Sequence, residues 1–393
     1  MKKCKIGIMG GTFNPIHNGH ILLAQAAYKH CSLDKVWFMP SGVSYLKEKE
    51  EIVSALNRLE MTSLAVESFP NFEVSDMEIK REGNTYTVDT LRELRESYPE
   101  YEFYFILGAD SLMAFSSWKN PEEIAKLCTL ATVVRDDVDE KLLSMKKSEL
   151  ETDLGANIVL VPFEKMMISS SEIRARLGQG LSVDDFLPEK VVEYIQNHFL
   201  YTQDDYLKVL ETSIQKVQTS KRFTHTLGVV TAAEKLADAY GVSLQKAKIA
   251  ALLHDCAKCI PLVEQRKLCA DYGVVCTELE QSTDALMHSK LGAALAREKY
   301  GVFDEDILNA IRNHTTGRPE MSMLEKIIFV ADFIEEGRTN IPNLEKIRAL
   351  AFEDINQAIV EILENTLSYL KNNGSVIDEQ SKRTLTYYKE CKN

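Results

Sequence analysis

The sequence predicts a doubly wound α/β domain built on a parallel sheet, followed by an all-α domain. Three observations carry this expectation: the length of the chain, strand–helix alternation over its first 200 residues, and the loss of strand signals after them. At 393 residues the chain exceeds one ordinary core, and two domains of just under 200 residues are the natural division. KIGIMG (5–10) reads as a buried strand and ILLAQAAYKH (21–30) as a helix. VWFMP (36–40) is a second strand, followed by the helical run 51–68. FEVSDMEI (72–79) reads as a strand, TVDTLRELRES (87–97) as a helix and EFYFILGAD (102–110) as a strongly apolar strand. TLATVVR (129–135) and NIVLVPF (157–163) supply two more strands. Alternation of this kind implies a parallel sheet with helices on both faces. Residues 205–370 instead read as successive amphipathic helices, broken at Gly241, Pro261, Gly273, Gly301 and Pro319. The switch near YTQDD (201–205) gives expected domains at 1–200 and 205–393, joined by the linker 201–204.

Composition narrows the function classes. Apolar content of 45% and charged content of 27% are those of a soluble globular protein. A formal charge of -13 argues against a broad phosphate-tracking surface, so long nucleic acid is not an expected partner. Small anions remain open as ligands, because one helix N-terminus and a few cations suffice to hold a phosphate. The opening MKKCKIGIMGG has too short an apolar run for a signal peptide core. No apolar run approaches the roughly 18 residues that a membrane span needs. Eight cysteines in a chain this long do not form a disulfide framework. Cys256 and Cys259 form a C-x-x-C, but Cys269 and Cys276 are too widely spaced to complete a usual zinc knuckle, and the pair reads as small core residues on a helix. The expected compartment is reducing and cytoplasmic, and homo-oligomerisation is left open.

The densest signal is Gly10-Gly11-Thr12-Phe13-Asn14-Pro15-Ile16-His17-Asn18-Gly19-His20, which follows a strand and opens a helix. α/β proteins bind ligands there, at the carboxyl ends of strands. Glycines let the backbone approach phosphate closely, and the helix N-terminus adds positive potential. His17 and His20 are three residues apart, so on a helix they share a face. Two imidazoles beside a phosphate-binding turn suit charge stabilisation in nucleotidyl transfer. Far downstream, Ile168-Ser-Ser-Ser-Glu-Ile-Arg174-Ala-Arg-Leu177 begins another helix with capping hydroxyls, and Arg174 adds a cationic fork to this anion site.

These two stretches resemble the (T/H)-x-G-H nucleotidyltransferase superfamily, in which G-x-F-x-P-x-H-x-G-H and I-S-S-T-x-I-R together hold ATP. Pro40-Ser41-Gly42, Tyr86-Thr87-Val88-Asp89-Thr90-Leu91, Gly108-Ala109-Asp110-Ser111, Trp118 and Arg135 narrow the resemblance to bacterial nicotinate-nucleotide adenylyltransferases over residues 3–200. The resemblance implies transfer of AMP from ATP to nicotinate mononucleotide, giving deamido-NAD and pyrophosphate with Mg²⁺ and no covalent intermediate. It makes His17 and His20 the groups that stabilise the transition state. Gly10, Thr12, Phe13, Gly108, Asp110, Ser170 and Arg174 would bind ATP, with Asp110 at the ribose or its metal. Thr87, Trp118 and Arg135 would bind nicotinate mononucleotide. Where the family often carries P-P-H-K after the second strand, this chain has Val43-Ser44-Tyr45-Leu46-Lys47, and Lys47 is the expected phosphate contact. Preference for nicotinate over nicotinamide mononucleotide is left open, and a sister activity on the same fold, pantetheine-phosphate adenylyltransferase, is the nearest rival.

After residue 204 the chain holds only four histidines: His225, His254, His288 and His314. His254-Asp255 reads as lying inside an apolar helix, AALLHDCAK, where burying both groups is costly unless they are paired or bind metal. His288, His314 and Asp332 each fall on their own helix or helix end. Imidazole nitrogens and carboxylate oxygens suit Fe, Mn or a similar first-row metal, and six such ligands suggest two ions bridged by Asp255.

The ordered set H…HD…H…H…D resembles the HD phosphohydrolase superfamily. Arg222-Phe-Thr-His225-Thr, Leu-Leu-His254-Asp255-Cys-Ala-Lys258, His314-Thr315-Thr316-Gly317 and Ala331-Asp332-Phe-Ile-Glu335 are similar to small bacterial HD proteins that cleave diadenosine tetraphosphate, over about residues 205–390. That likeness implies symmetrical hydrolysis to two ADP by water activated at the metal. Lys258, Thr315 and Arg338 are its candidate phosphate contacts. IEEGR replaces the commoner IEPxR after Asp332, an expected change in loop geometry. Hydrolysis of another signalling nucleotide, and a non-catalytic nucleotide sensor, stay open as alternatives.

Overall fold

In the computed structural model, residues 3–42, 53–81, 83–135, 140–163 and 168–391 are described, and Lys47 lies outside them. The chain divides into two compact units, Met1–Tyr201 and Thr202–Asn393. The first contains β1 (Cys4–Gly11), α1 (Asn18–His30), β2 (Lys35–Pro40), α2 (Ala55–Val66), β3 (Phe72–Val74), α3 (Met77–Lys80), α4 (Thr87–Ser97) and β4 (Tyr101–Gly108). It continues with α5 (Ala109–Met113), α6 (Pro121–Leu127), β5 (Thr129–Arg135), α7 (Glu140–Leu154), β6 (Asn157–Phe163), α8 (Ser170–Gly178) and α9 (Glu189–Asn197).

The six strands form one parallel sheet in the order β3-β2-β1-β4-β5-β6. Central strands are buried on both faces, which explains their near-continuous apolar runs. One face packs Ile21, Ala24, Phe38 and Val191 into a core, and the other packs Val88, Leu91, Phe103 and Leu112. The strand order reverses between β1 and β4, so the turns after these two strands flank a crevice at the carboxyl edge.

Two expected strands change character at their ends. The run 72–79 stops as a strand at Val74, because the Ser75 hydroxyl accepts from the Met77 amide and turns the chain into α3. The strand expected to reach Asp110 ends at Gly108, where α5 begins.

The second unit is helical throughout its described residues. Its helices are α10 (Gln203–Val217), α11 (Ser220–Tyr240), α12 (Leu244–Leu253), α13 (Leu262–Asp271), α14 (Glu278–Ser282) and α15 (Asp284–Glu298). α16 (Glu305–Asn313), α17 (Met323–Ile334), α18 (Leu344–Glu353), α19 (Ile355–Asn372) and α20 (Glu379–Glu390) complete it. The breaks expected at Gly241, Pro261, Gly273, Gly301 and Pro319 all fall between helices. His254-Asp255 is not inside a helix: α12 ends at Leu253, and tight turns follow, with Cys256 N donating to Leu253 O and Lys258 N to Asp255 O. The apolar run continues through this change of pitch, so hydropathy does not register it. Of the C-x-x-C pair, Cys256 is buried and Cys259 exposed, and all eight cysteines are free thiols. No helix among the described residues is long and apolar enough to cross a membrane.

Candidate active sites

The first site is built on the turn between β1 and α1. Phe13 adopts φ 48, a left-handed conformation that costs a bulky residue about 1–3 kcal/mol. Its ring is buried and meets the His20 ring edge-on, 5.1 Å between centroids. The His17 and His20 rings lie 3.7 Å apart at their centroids. The His17 amide donates to His20 Nδ1 at 3.2 Å, so the neutral His20 ring carries its proton on Nε2 and presents a donor. The first turn of α1 holds no acidic residue to oppose an anion. Gly19 has a steric reason: a Cβ there would lie 2.9 Å from His17 Nδ1. His17 is the N-cap of α1, its Nδ1 is buried without a hydrogen-bond partner, and burial pushes its pKa down to about 4.

The turn is completed from the far end of the unit. Ser170 Oγ donates to Pro15 O at 2.9 Å, and Arg174 Nη1 to Asn14 O at 2.8 Å. Ser169 is the residue that caps α8, its hydroxyl accepting from Glu172 N. Tyr201 Oη donates to the buried Asn14 Oδ1 at 2.8 Å. Gly10 lies at the end of β1 and Thr12 on this turn, while Gly108 ends β4, the neighbouring strand, and the exposed Asp110 follows in α5. Thr87 opens α4, and Lys119 links that helix start to the Trp118 segment, sitting over the Tyr86 ring and 3.2 Å from Asp89. Trp118 is half-buried against Phe105 and Phe115. Arg135 ends β5, and its side chain lies outside the described residues.

The second site gathers residues from α11, the turn after α12, α15, the end of α16, and α17. Asp255 is its centre. Its Oδ1 lies 3.2 Å from His288 Nε2 and 3.8 Å from His314 Nε2. Its Oδ2 lies 3.3 Å from His254 Nε2 and 3.8 Å from His225 Nε2. Asp332 Oδ1 approaches His225 Nε2 at 3.0 Å. Each imidazole has its Nδ1 on an oxygen acceptor: His225 on Glu335 Oε1 at 3.1 Å, His254 on Ala251 O at 2.6 Å, His288 on Asp284 O at 2.7 Å, and His314 on Ile311 O at 2.8 Å. These bonds place the ring protons on Nδ1 and turn four Nε2 lone pairs inward. His288 and His314 Nε2 come within 3.1 Å of each other, and burial pushes His314 down to about 3. Buried lone pairs facing one another repel unless a cation lies between them. Nε2 of His225 and of His254 are buried without hydrogen-bond partners. The groups His225/His254/Asp332 and His254/Asp255/His314 each have the compactness of a metal site. The donor set therefore fits first-row divalent ions.

Cations and a hydroxyl surround this set. Arg222 Nη1 donates to Asp255 Oδ2 at 2.7 Å, and Arg338 Nη2 to Asp332 Oδ1 at 2.8 Å. Lys258 Nζ lies 3.3 Å from His288 Nδ1, and Thr315 Oγ1 lies 3.3 Å from His314 Nε2. The IEEGR loop is held without its proline: Glu335 Oε2 accepts from Gly337 N at 2.6 Å, and Arg348 donates to the carbonyls of Ile334, Glu335 and Arg338.

Comparison with known proteins assigns both halves. Residues 8–176 match the cytidylyltransferase-like family and residues 222–337 the HD domain family. A "probable nicotinate-nucleotide adenylyltransferase" of Lachnoclostridium phytofermentans is 44% identical over 197 residues, which cover 50% of this chain and 98% of the relative. The chain belongs to the nicotinate-nucleotide adenylyltransferase family. A relative from Clostridium perfringens with the same description is 42% identical over 51% of this chain and 99% of its own length. A solved Clostridium acetobutylicum protein, described as a "predicted HD superfamily hydrolase involved in NAD metabolism", shares 35% identity over 47% of this chain and 97% of that one, with a TM-score of 0.46. The family's half is thus followed by an HD domain that carries a candidate metal centre.

Two contributors escaped motif reading. Arg222 and Glu335 stand inside recognisable motifs, yet nothing in their spacing reveals that one bonds Asp255 and the other His225. Glu335 reaches His225 because Gly228 leaves room, a Cβ there lying 2.5 Å from Glu335 Oε2. Glu335→Ala is expected to weaken metal affinity about 10- to 100-fold, measured by calorimetric titration with Mn²⁺. Unchanged affinity would show that Glu335 does not orient His225.

His17 has a stability signature. Below its ordinary value of 6.5 the unfolded chain takes up a proton that folded His17 refuses down to about 4. The His17 contribution to stability should therefore be constant above pH 6.5 and fall by up to about 3 kcal/mol as the pH drops to 4. His17→Gln is expected to flatten this part of the slope in urea titrations at several pH values.

Proposed function

We propose that the first unit transfers AMP from MgATP to nicotinate mononucleotide, releasing deamido-NAD and pyrophosphate, and that the HD domain hydrolyses diadenosine tetraphosphate to two ADP. For the transfer, the observation that carries the reading is the convergence of the His17/His20 turn with Ser170 and Arg174 at the carboxyl edge beside β1 and β4. In this reading the Nε2 donor of His20 faces the α-phosphate oxygens, where negative charge builds as the nucleotide phosphate attacks. Neutral His17 stacks behind it and fixes its plane. Ser170, Arg174 and the start of α1 hold the triphosphate, with Gly10, Thr12 and Phe13 forming the backbone wall. Gly108 and Asp110 take the ribose side of ATP, and Thr87, Trp118 and Arg135 the acceptor nucleotide. Lys47 is proposed as a further phosphate contact.

For the hydrolysis, support comes from the two oxygens of Asp255 facing different histidine pairs. His225, His254 and Asp332 would hold one ion and His288 and His314 the other, with Asp255 shared. Bound there, the ions would supply Lewis acidity and a reactive water at neutral pH. Arg222 and Arg338 fix the two carboxylates, while Lys258, Thr315 and Arg338 are placed to neutralise a polyphosphate chain. Iron or manganese suits the mixed nitrogen and oxygen donors.

The test is a product assay on the intact chain. ATP with nicotinate mononucleotide should yield deamido-NAD, and diadenosine tetraphosphate with Mn²⁺ or Fe²⁺ should yield only ADP. AMP with ATP as products, or cleavage of another signalling nucleotide alone, would overturn the hydrolase assignment. No transfer to either pyridine mononucleotide would overturn the first.

A further inference from the structure

α2 presents Arg58, Met61, Thr62, Ala65 and Val66 to the core, so a guanidinium occupies a position in the apolar stripe. Arg58 is only 2% exposed. No acidic side chain among the described residues pairs with it. Its donors instead reach four main-chain carbonyls: Nη1 to Thr12 O at 2.6 Å, Nη2 to Ser41 O at 2.7 Å and Gly42 O at 3.2 Å, and Nε to Val53 O at 3.3 Å. Thr12 belongs to the turn after β1, and Ser41 and Gly42 follow β2, its hydrogen-bonded neighbour. The two turns are also joined directly, Ser41 N donating to Gly11 O at 2.8 Å. Thr12 O is the carbonyl just before Phe13, whose backbone is left-handed. A planar fork with five donors can grip separate carbonyls at once, whereas a lysine gathers its donors on one nitrogen.

We propose that Arg58 is a positioning residue of the transferase site, clamping the Gly10–Phe13 turn to the Pro40–Gly42 turn so that both nucleotides meet a fixed wall. The clamp acts through main chain and touches no reacting atom. It rests on the proposed adenylyl transfer, which it deepens. Misplacing one of the turns by an ångström should lower efficiency about 10- to 100-fold.

The experiment compares Arg58→Lys and Arg58→Gln with Met61→Ala in the full chain. Met61 is fully buried one turn further along α2 and lies outside the clamp, so its variant reports loss of packing alone. The Arg58 variants should raise KM for ATP and for nicotinate mononucleotide together, by about tenfold or more. Met61→Ala should melt earlier and keep both KM values. Unchanged KM in Arg58→Lys and Arg58→Gln, or the same rise in Met61→Ala, would overturn the proposal. Failure of both Arg58 variants to fold would also overturn it, making the side chain a determinant of folding. If the wild-type chain made no deamido-NAD, the proposed function would fall. The clamp would then be decided by calorimetry with ATP, whose affinity should drop in Arg58→Lys and hold in Met61→Ala.

Discussion

Asp255→Asn is expected to remove metal-dependent hydrolysis by more than about a hundredfold, beyond what loss of a supporting partner costs. The side chain keeps its size but loses the charge that faces four imidazoles and Arg222. In the metal-free protein burial pushes this carboxyl up, and His254 and His288, in the protonated form in which Nε2 donates, outweigh that and hold it well below the usual carboxylate range. The carboxyl is thus held as an anion, the form that binds a cation. Metal analysis after dialysis should show fewer ions retained per chain, while deamido-NAD synthesis stays at the wild-type rate because each unit has its own core. Retention of full metal and full hydrolysis would sink the role proposed for Asp255 in a metal-dependent hydrolase.

His20→Ala carries the second large effect, a fall of about 10²–10³ in the turnover of adenylyl transfer with little change in KM. The variant loses a donor aimed at charge that exists only in the transition state. It also loses the Nδ1 acceptor that caps the His17 amide, and that should lower the stability of the first unit by about 1 kcal/mol. The two losses separate experimentally, since turnover is read on folded protein and stability by urea titration. A variant that kept a tenth of wild-type turnover would remove His20 from the chemistry.

Much of this arrangement is legible in the chain. The helix at 87–97 and the strands at 129–135 and 157–163 fall where their patterns place them, because flanking Asn, Pro and charged residues punctuate them. The candidate metal ligands stand out because polar groups interrupt apolar runs, and only pairing or a cation excuses that. Other features leave no local mark. The end of α12 at Leu253 is one, because apolar residues continue on both sides of His254-Asp255. The bond from His225 to Glu335 spans 110 positions, and the need for glycine at 19 and 228 is set by neighbouring side chains. Arg58 did leave a sign, a charge on the buried stripe of its helix, which periodicity can reveal but cannot interpret.

The turn carrying His17 and His20 is made early in the chain but secured late. Its carbonyls at Asn14 and Pro15 are met by Arg174 and Ser170, and the Asn14 side chain by Tyr201, 187 residues away. During synthesis from the N-terminus, a nascent chain shorter than this has His17 and His20 without the groups that hold their turn. Adenylyl transfer should therefore switch on abruptly as Tyr201 clears the ribosome, before the helices bearing the HD residues have emerged from it. Ribosome-bound chains of graded length would trace that onset.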